Sequence, residues 1–339
     1  MAGSSESAEQ REGTRSVRIP DLFSSIMSPK PVLNPNYAKV KAEGDEWIAR
    51  IMKMDEKTSA RNKRVDFCYL GALWAPDADE ESLRVLLDWC HWFDEGHLKD
   101  DPVAAQEEIK ETMAIMEEDV QLIEPHVNPL RYVFQLCWLA INREAELRQQ
   151  YKEQHKEYFD QIVVQVQQAA KGEVLRRDVQ TYIEVRRGSI GVTPAISIIR
   201  CIEGVELPEM VVSHSSLQEC RRLSSELVFM VNDIISYRKD LELSVDHNLI
   251  PLLVEQGMSV QQSIDKIGAM IDDCYKRWYT ALAELPSYGE KVDREVLLFI
   301  EICRNVALGN LYWSFKTARY LDSEEGQNVH ETRILYLPY

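Results

Sequence analysis

Four polar residues recur on one face of a single predicted helix, over residues 215–242. Asn232, Ser236 and Asp240 are spaced i, i+4 and i+8, so they span an arc of about 80° on an α-helix, with Lys239 about 20° to the other side of Asn232. Asn, Ser and Asp are mediocre helix formers because their side chains compete for backbone hydrogen bonds. Their oxygens suit Mg²⁺, a hard cation that completes its shell with water and phosphate oxygens, which the Lys239 ammonium is placed to contact. A solvated helix face is the alternative interpretation of each residue taken alone.

A pair of arginines precedes this row, at the end of a helix predicted over about residues 174–187. Arg186 and Arg187 are followed by a Gly-x-x-Gly break. An interrupted helix exposes unpaired backbone groups and permits local movement. Arg186 lies 46 residues before Asn232. Alternatively, both arginines simply cap the helix C-terminus, where cations are favoured.

An arginine–tyrosine pair closes the last long helical pattern. The segment contains Trp313, Ser314, Arg319 and Tyr320. The guanidinium and the phenol are both donors for phosphate oxygens, and the guanidinium binds them in a bidentate manner. A helix-terminal cation beside an exposed aromatic ring is the alternative.

These three segments together resemble one known family. The string N-D-x-x-S-x-x-K-D, from Asn232 to Asp240, resembles the second metal-binding motif of class I terpene synthases, with Asp240 in place of the commoner Glu. The ending W-S-x-x-x-x-R-Y resembles that of fungal, basidiomycete-type sesquiterpene synthases, and residues 18–22 and 34–37 resemble the N-terminal pattern of the same family. The resemblance runs from about residue 18 to 320, nearly the whole chain.

The resemblance assigns roles residue by residue. It implies that one Mg²⁺ is bound by Asn232, Ser236 and Asp240. It implies a catalytic, diphosphate-binding set of four residues, Arg186, Lys239, Arg319 and Tyr320. Arg187 is the alternative diphosphate-sensing arginine, and Asp233 is expected to support the site or the fold without binding metal.

The family's other metal motif, an aspartate-rich D-D/E-x-x-D on a facing helix, is incomplete in this chain. Taking Asp94 and Glu95 as the first pair puts Leu98, which cannot bind metal, at the i+4 position. In the register that fits the resemblance better, Asp94 is the last acid, and about seven residues with the leading D-D pair are absent between Trp92 and Phe93. Seven residues are about two helical turns, so the apolar face would keep its phase. Asp94 is the metal-binding candidate in both registers, and the resemblance implies three Mg²⁺ per active site in the closed state.

The resemblance also implies a fold and a reaction. The expected fold is all-α, a single-domain class I terpenoid synthase helical bundle around a central apolar cavity. The expected reaction is Mg²⁺-assisted ionisation of farnesyl diphosphate and cyclisation of the cation in an apolar pocket, where aromatic faces give cation–π stabilisation. Candidate pocket residues are Phe67, Trp74, Trp89, Trp92 and Trp313.

Two alternatives to this reaction stay open. One is the same chemistry on a shorter or longer prenyl diphosphate, because pocket depth decides chain length. The other is a terpene-synthase-like protein or altered transcript that binds diphosphate but is weakly active or inactive, which the incomplete aspartate-rich motif suggests.

Composition limits the partners of this chain. Its 339 residues include 56 Asp and Glu against 39 Lys and Arg, a formal charge of −17, which disfavours nucleic acid and anionic membranes. The seven cysteines lack CxxC spacing, no uncharged apolar run approaches the length of a membrane span, and the N-terminal segment has no apolar signal region. We therefore expect a cytoplasmic protein, without membrane insertion, that is a monomer or a homodimer.

Helical periodicity and the low numbers of turn residues, 14 Gly and 13 Pro, favour one helical domain. We expect a disordered N-terminal tail over 1–16, the catalytic α domain over 17–320 and a flexible tail over 321–339. The predicted helices cover about residues 38–54, 59–73, 80–95, 103–120, 129–170, 174–187, 194–204, 215–242, 258–284 and 290–320.

Overall fold

The computed structural model describes residues 14–94, 101–117, 121–141, 145–172 and 178–338, and most of these residues are helical. The helices are α1 (Tyr37–Ile51), α2 (Glu56–Val65), α3 (Phe67–Trp74), α4 (Glu80–Asp94), α5 (Pro102–Ala114), α6 (Pro129–Ala140), α7 (Ala145–Ala170), α8 (Val179–Ser189), α9 (Val192–Glu203), α10 (Glu209–Val212), α11 (Ser215–Glu242), α12 (Leu249–Glu255), α13 (Val260–Ala283), α14 (Glu290–Ser314) and α15 (Ser323–Thr332). Two strands, β1 (Thr14–Arg18) and β2 (Ile334–Pro338), pair antiparallel with Val17 opposite Leu335. The predicted all-α class is confirmed.

Helix α11 lies at the centre of the bundle. It packs against α8, α9, α12, α13 and α14, and most of its side chains from Leu217 to Tyr237 are buried. Its apolar side chains recur at three- and four-residue steps, so a broad apolar face meets several neighbours at once. The observed bounds agree with the predicted range of 215–242. The row of polar residues therefore lies on a helix whose position is fixed by packing.

The helix bounds differ from the predicted ones where the backbone turns. The pattern over 59–73 predicts one helix, but Asp66 has a left-handed conformation, with φ 55°, that ends α2 and begins α3. Its carboxylate accepts a hydrogen bond from the Tyr69 N–H, so the side chain stabilises the break. The last predicted helix continues to Tyr320, whereas α14 ends at Ser314 and a short turn follows.

The expected flexible tail after residue 320 is wrong for residues 321–338. This segment forms α15 and β2, and its buried apolar side chains are Leu321, Val329, Leu335 and Leu337. The two strand leucines alternate with exposed Tyr336, the pattern of a strand with one covered face. Residues 14–16, assigned to the N-terminal tail, are part of β1, and residues 1–13 lie outside the described part of the chain.

Among the described residues, α14 is the helix that is long and apolar enough to cross a membrane by length and composition. Of its most apolar stretch, 67% is buried inside the fold. It packs against α3, α9 and α11. Burial in the bundle therefore accounts for its apolar character.

Candidate active site

A cavity of about 110 Å³ lies between α3, α4, α9, α11, α14 and the turn that follows α14. Most of its wall is aromatic or aliphatic, made by Phe67, Leu70, Trp74, Trp89, Cys90, Phe93, Ile190, Val192, Val228 and Trp313. The polar side chains in the wall are Asn232, Asn310, Arg319 and Tyr320. Of the expected pocket aromatics, Trp92 is not in the wall and packs instead against Phe134 and Phe159.

Three of the predicted site residues form a hydrogen-bonded series that joins three elements. Arg186, near the end of α8, donates from Nη2 to Asn232 Oδ1 on α11 at 3.0 Å. Asn232 Nδ2 donates in turn to the hydroxyl oxygen of Tyr320 at 2.8 Å. Residues that are far apart in sequence are therefore brought together. The Asn232 side-chain amide makes a hydrogen bond through both its oxygen and its nitrogen.

Asp233, next to Asn232, holds Arg186 in place. Its buried carboxylate accepts from Arg186 Nη2 at 2.9 Å, from the Tyr182 hydroxyl at 2.6 Å and from the Leu249 N–H at 3.0 Å. Burial lowers the pKa of Arg186, but the surrounding acidic groups, with the Asp233 carboxylate first among them, together outweigh burial and the net shift is upward. The guanidinium is therefore a permanent cation, and Asp233 fixes its position.

Ser236 and Asp240 are in direct contact one turn apart on α11. The Ser236 hydroxyl donates to Asp240 Oδ2 at 2.6 Å. Asn248, which caps α12, donates from Nδ2 to the same Asp240 oxygen at 2.9 Å and to the Asp233 carbonyl at 2.8 Å. The loop between α11 and α12 thus returns along the polar row and fixes its carboxylate.

The donor chemistry of this row fits a hard divalent cation. An amide oxygen, a hydroxyl and a carboxylate lie on one face of one helix, at Asn232, Ser236 and Asp240. Oxygen ligands of this kind suit Mg²⁺, which keeps several waters and phosphate oxygens in its shell. Within the described residues there is no group of three His, Cys, Asp or Glu side chains that could hold a metal ion. The oxygen-rich row is therefore the candidate in the described part of the chain.

Two cations lie near the ring of Tyr320, whose hydroxyl is hydrogen-bonded to Asn232. Lys239 Nζ lies 5.5 Å and Arg319 Cζ 5.7 Å from the ring centroid, within the range of a cation–π contact. The ring also meets Trp313 edge to face, at 5.8 Å between centroids. Positive charge is therefore concentrated around one residue of the cavity wall.

The backbone of Tyr320 is positioned by Arg238, which in turn is paired with the segment 321–338 that was expected to be flexible. Arg238 donates from Nη2 to the Tyr320 carbonyl at 3.1 Å and to Glu325 Oε2 of α15 at 2.9 Å. The second Arg238 nitrogen also pairs with Glu325. Helix α15 therefore helps to position the arginine–tyrosine pair.

Arg187, the alternative sensing arginine, turns away from this site. It donates from Nε to buried Glu226 Oε1 at 2.8 Å, and Glu226 is paired on its other oxygen with Arg277 at 2.9 Å. Arg187 instead lines an open groove of about 550 Å³ whose other residues carry charges of both signs, among them Glu219 and Arg222. The geometry favours Arg186 of the two.

Asp94 is the last residue of α4, and its side chain and residues 95–100 lie outside the described part of the chain. The described turns of α4 that precede it contribute Trp89, Cys90 and Phe93 to the cavity wall. Asp94 therefore follows the cavity wall directly in sequence.

Sequence reasoning missed two amides of this site. Asn248 lies in a loop, and only its capping position before an apolar helix signals a role. Asn310 lines the cavity from α14, and its Nδ2 is buried without a hydrogen-bond partner. The signal for Asn310 in the sequence is a polar side chain within the apolar second half of α14.

Comparisons with known proteins agree on one family. Residues 91–277 match the family described as terpene synthase family 2, C-terminal metal binding. The chain is 43% identical over 330 residues to (+)-eremophilene synthase of Gibberella fujikuroi, which covers 95% of this chain and 92% of that protein. It is 41% identical to a Gibberella fujikuroi protein named inactive (1R,4R,5S)-(-)-guaia-6,10(14)-diene synthase, over 94% of this chain and 85% of the relative. The crystal structure of a-eudesmol synthase superposes with a TM-score of 0.74 at 19% identity, over 84% of this chain and 96% of that one.

This chain therefore belongs to the terpene synthase family. It is a class I terpene synthase with the all-α fold of that class, and the matching family binds metal, so its chemistry depends on a divalent cation. The narrower expectation of a basidiomycete-type enzyme stays a prediction.

Proposed function

We propose that this protein is a sesquiterpene synthase that ionises farnesyl diphosphate with Mg²⁺ and cyclises the resulting cation. The observation that carries the proposal is the series Arg186–Asn232–Tyr320 beside an aromatic cavity. The cationic side chains of the polar wall can form charge-assisted hydrogen bonds with a diphosphate group. The aromatic rings can stabilise the carbon chain when it becomes a cation.

In this proposal Asn232, Ser236 and Asp240 hold one Mg²⁺, which supplies positive charge to the diphosphate oxygens when bound. The family resemblance extends the count to three ions in the closed site, with Asp94 as the candidate ligand opposite.

Arg186, Lys239 and Arg319 add fixed positive charge. The Tyr320 hydroxyl accepts from Asn232, so its own proton is available for a diphosphate oxygen.

These groups act when the substrate ionises. The C1–O bond breaks, its electron pair leaves with the diphosphate, and an allylic cation remains on the carbon chain. Preorganised cations and donors stabilise the growing negative charge without having to reorient, which is why they lower the barrier. The hydrogen bonds that Arg186 donates to Asp233 and that Arg238 donates to the Tyr320 carbonyl provide that preorganisation.

The aromatic wall acts on the cation that remains. Trp74, Trp89 and Trp313 line the cavity with Phe67 and Phe93, and their faces stabilise positive charge while water is excluded. The cavity of about 110 Å³ is smaller than the roughly 300–1,000 Å³ typical of small-molecule sites.

The test is incubation with farnesyl diphosphate and Mg²⁺, followed by gas chromatography of the extract. We expect a cyclic hydrocarbon or alcohol from the unmodified protein and from the surface variant Asn328→Ala, and none from Asn232→Ala. Equal turnover by Asn232→Ala and Asn328→Ala would refute the assignment of the metal-binding row. Parallel incubations with the shorter and longer prenyl diphosphates decide the chain length.

A second candidate is a diphosphate-binding protein of this family with weak or no turnover. It is favoured by the sequence before Phe93, which has no D-D pair, and by a 41% identical relative named inactive. Binding of inorganic diphosphate with Mg²⁺, without product from any prenyl diphosphate at high protein concentration, would establish this second function.

We further propose that the protein works in the cytoplasm as a monomer or a homodimer. The acidic composition, −17 at pH 7, supports a solvated surface without nucleic-acid contacts. Light scattering coupled to gel filtration gives the mass to compare with 39.2 kDa for one chain.

A further inference from the structure

The three tryptophans of the cavity wall share one arrangement. Each indole N–H donates to an acceptor on another element: Trp74 to the Val306 carbonyl at 3.1 Å, Trp89 to His155 Nε2 at 3.1 Å, and Trp313 to the Val65 carbonyl at 2.7 Å. The indole edge is the positive end of its quadrupole and the face is the negative one. In all three residues the positive edge is therefore held by an acceptor that is not part of the cavity wall.

Trp89 differs from the other two because its acceptor is a side chain. His155 lies on α7, is fully buried, and accepts the bond from α4. Its other ring nitrogen, Nδ1, lies 2.9 Å from the Tyr151 carbonyl one turn earlier. Since a carbonyl can only accept and an indole N–H can only donate, Nδ1 must carry the proton and Nε2 must be the acceptor.

The surroundings of His155 keep that tautomer in place. Aromatic rings pack around the imidazole, with Tyr151 at 3.9 Å, Phe134 at 5.8 Å and Trp92 at 6.2 Å between centroids. Burial lowers the pKa of His155 to about 3, so the ring is neutral near neutral pH. The acceptor for Trp89 is thus permanent under working conditions.

The ring held in this way is joined to the rest of the wall. Trp89 stacks on Phe93 at 5.1 Å with an interplanar angle of 23°. Phe93 in turn covers Gly191, where an added Cβ would lie 2.1 Å from the Phe93 ring. A change in the plane of Trp89 is therefore passed to a second ring of the cavity.

We propose that His155 is a positioning residue for the cyclisation step: by accepting the Trp89 indole N–H it fixes the plane of a cavity ring and thereby sets the distribution of products. This inference rests on the proposed function, because a product distribution requires turnover. His155 itself touches no substrate and acts through Trp89.

The experiment compares His155→Phe, which keeps a ring but removes the acceptor, with His155→Gln, which keeps an acceptor. Products from farnesyl diphosphate and Mg²⁺ are quantified by gas chromatography. We expect the fraction of the main cyclic product to fall severalfold in His155→Phe, with more acyclic or early-deprotonated products, and to stay within about twofold of the unmodified protein in His155→Gln. An unchanged distribution in His155→Phe would overturn the proposal.

Trp89→Phe is the second variant, and it keeps an aromatic face while removing the donor. We expect it to shift the products in the same direction as His155→Phe, and we expect His155→Phe to add nothing when Trp89 is already Phe. A shift of the same size in both backgrounds would mean that His155 acts by some route other than Trp89, which contradicts the proposal.

A binding measurement separates this inference from the proposed function. Benzyltriethylammonium, a stable cation, is titrated calorimetrically into the protein with Mg²⁺ and inorganic diphosphate. His155→Phe is expected to bind it about two- to thirtyfold more weakly than His155→Gln, the range of one cation–π contact. If the unmodified protein makes no terpene, the proposed function fails, but this titration still tests whether His155 positions the Trp89 ring, because equal affinity in the two variants would reject that role.

Discussion

Two walls of the same cavity hold their side chains in different ways. On α11 the polar row and Asp233 are fixed by hydrogen bonds with α8, with the start of α12 and the residue before it, and with the turn after α14. Asp233 accepts three of these bonds, and Asn232 donates one to Tyr320. On α4 the cavity side chains Trp89 and Phe93 are held by stacking and by one bond to His155. The first wall places charge and the second presents ring faces. Ionisation and cyclisation therefore depend on separate sets of contacts that can be disturbed one at a time.

The largest expected effect lies on the polar wall. Asp233→Ala leaves the buried Arg186 guanidinium without its carboxylate, and breaking a buried ion pair in this way costs about 3–5 kcal/mol in the free energy of unfolding. The matched control is Asp273→Ala, an exposed acid 3.8 Å from Arg277, for which we expect less than about 1 kcal/mol. Urea unfolding measures both, and similar values for the two variants would show that Asp233 does not hold this wall.

Substitution of two glycines tests how tightly the aromatic wall is packed. Gly191 has φ 84°, and a Cβ there would meet the Phe93 ring, whereas Gly172 has φ 64° and open space around it. Gly191→Ala combines backbone strain with overpacking and should cost about 2–5 kcal/mol. Gly172→Ala carries the strain alone, about 1–2 kcal/mol. Equal losses in thermal unfolding would mean that Phe93 does not press on Gly191.

Tyr320→Phe tests the contact of the polar wall with the substrate. The variant keeps the ring near Lys239 and Arg319 but loses the hydroxyl that accepts from Asn232. Loss of one hydrogen bond to a charged group should lower kcat/KM about tenfold to a hundredfold. The control is Tyr336→Phe on β2, whose side chain is 43% exposed, and steady-state kinetics of both variants give the comparison. A Tyr320→Phe enzyme as active as the control would remove the hydroxyl from the mechanism.

The pH dependence of the free energy of unfolding tests the buried histidines beside the aromatic wall. Burial lowers the pKa of both His91 and His155 to about 3, whereas an unfolded histidine takes up its proton near pH 6.5. The unfolded chain therefore binds more protons below about pH 6.5, and stability is lost as the pH falls from there toward 3. His155→Gln should reduce the loss between pH 7 and pH 5 by about 2 kcal/mol, and the exposed-site variant His126→Gln should leave it unchanged. Urea unfolding at the two pH values provides the measurement, and identical pH slopes in the two variants would contradict the buried neutral His155.

The sequence predicts the residues of the polar wall better than the contacts of the aromatic wall, because the first are local in sequence and the second are not. The row from Asn232 to Asp240 is local, so helical spacing alone places its members on one face. The contact between Trp89 and His155 joins residues 66 positions apart, and periodicity reports that each faces the core without naming the partner. Predicted pocket residues were accordingly correct for Trp89 and wrong for Trp92, which lies three positions later on α4.

The ends of the chain show a second limit of sequence reasoning. The polar stretch after Tyr320 predicts a flexible tail, because polarity without a long apolar stripe is typical of one. Its few apolar residues, such as Val329 and Leu337, are enough to anchor a short helix and strand once β1 is available as a partner. The Arg238–Glu325 pair then makes that segment part of the support for Tyr320.

Binding of inorganic diphosphate tests the central claim, that the polar wall of α11 binds diphosphate together with a divalent cation. Calorimetric titrations are made with and without Mg²⁺ on the unmodified protein, on Asn232→Ala and on Asn328→Ala. We expect Mg²⁺-dependent binding by the unmodified protein and by Asn328→Ala, and binding at least about tenfold weaker by Asn232→Ala, the loss expected for one charge-assisted contact. Equal, Mg²⁺-independent binding by all three would contradict it.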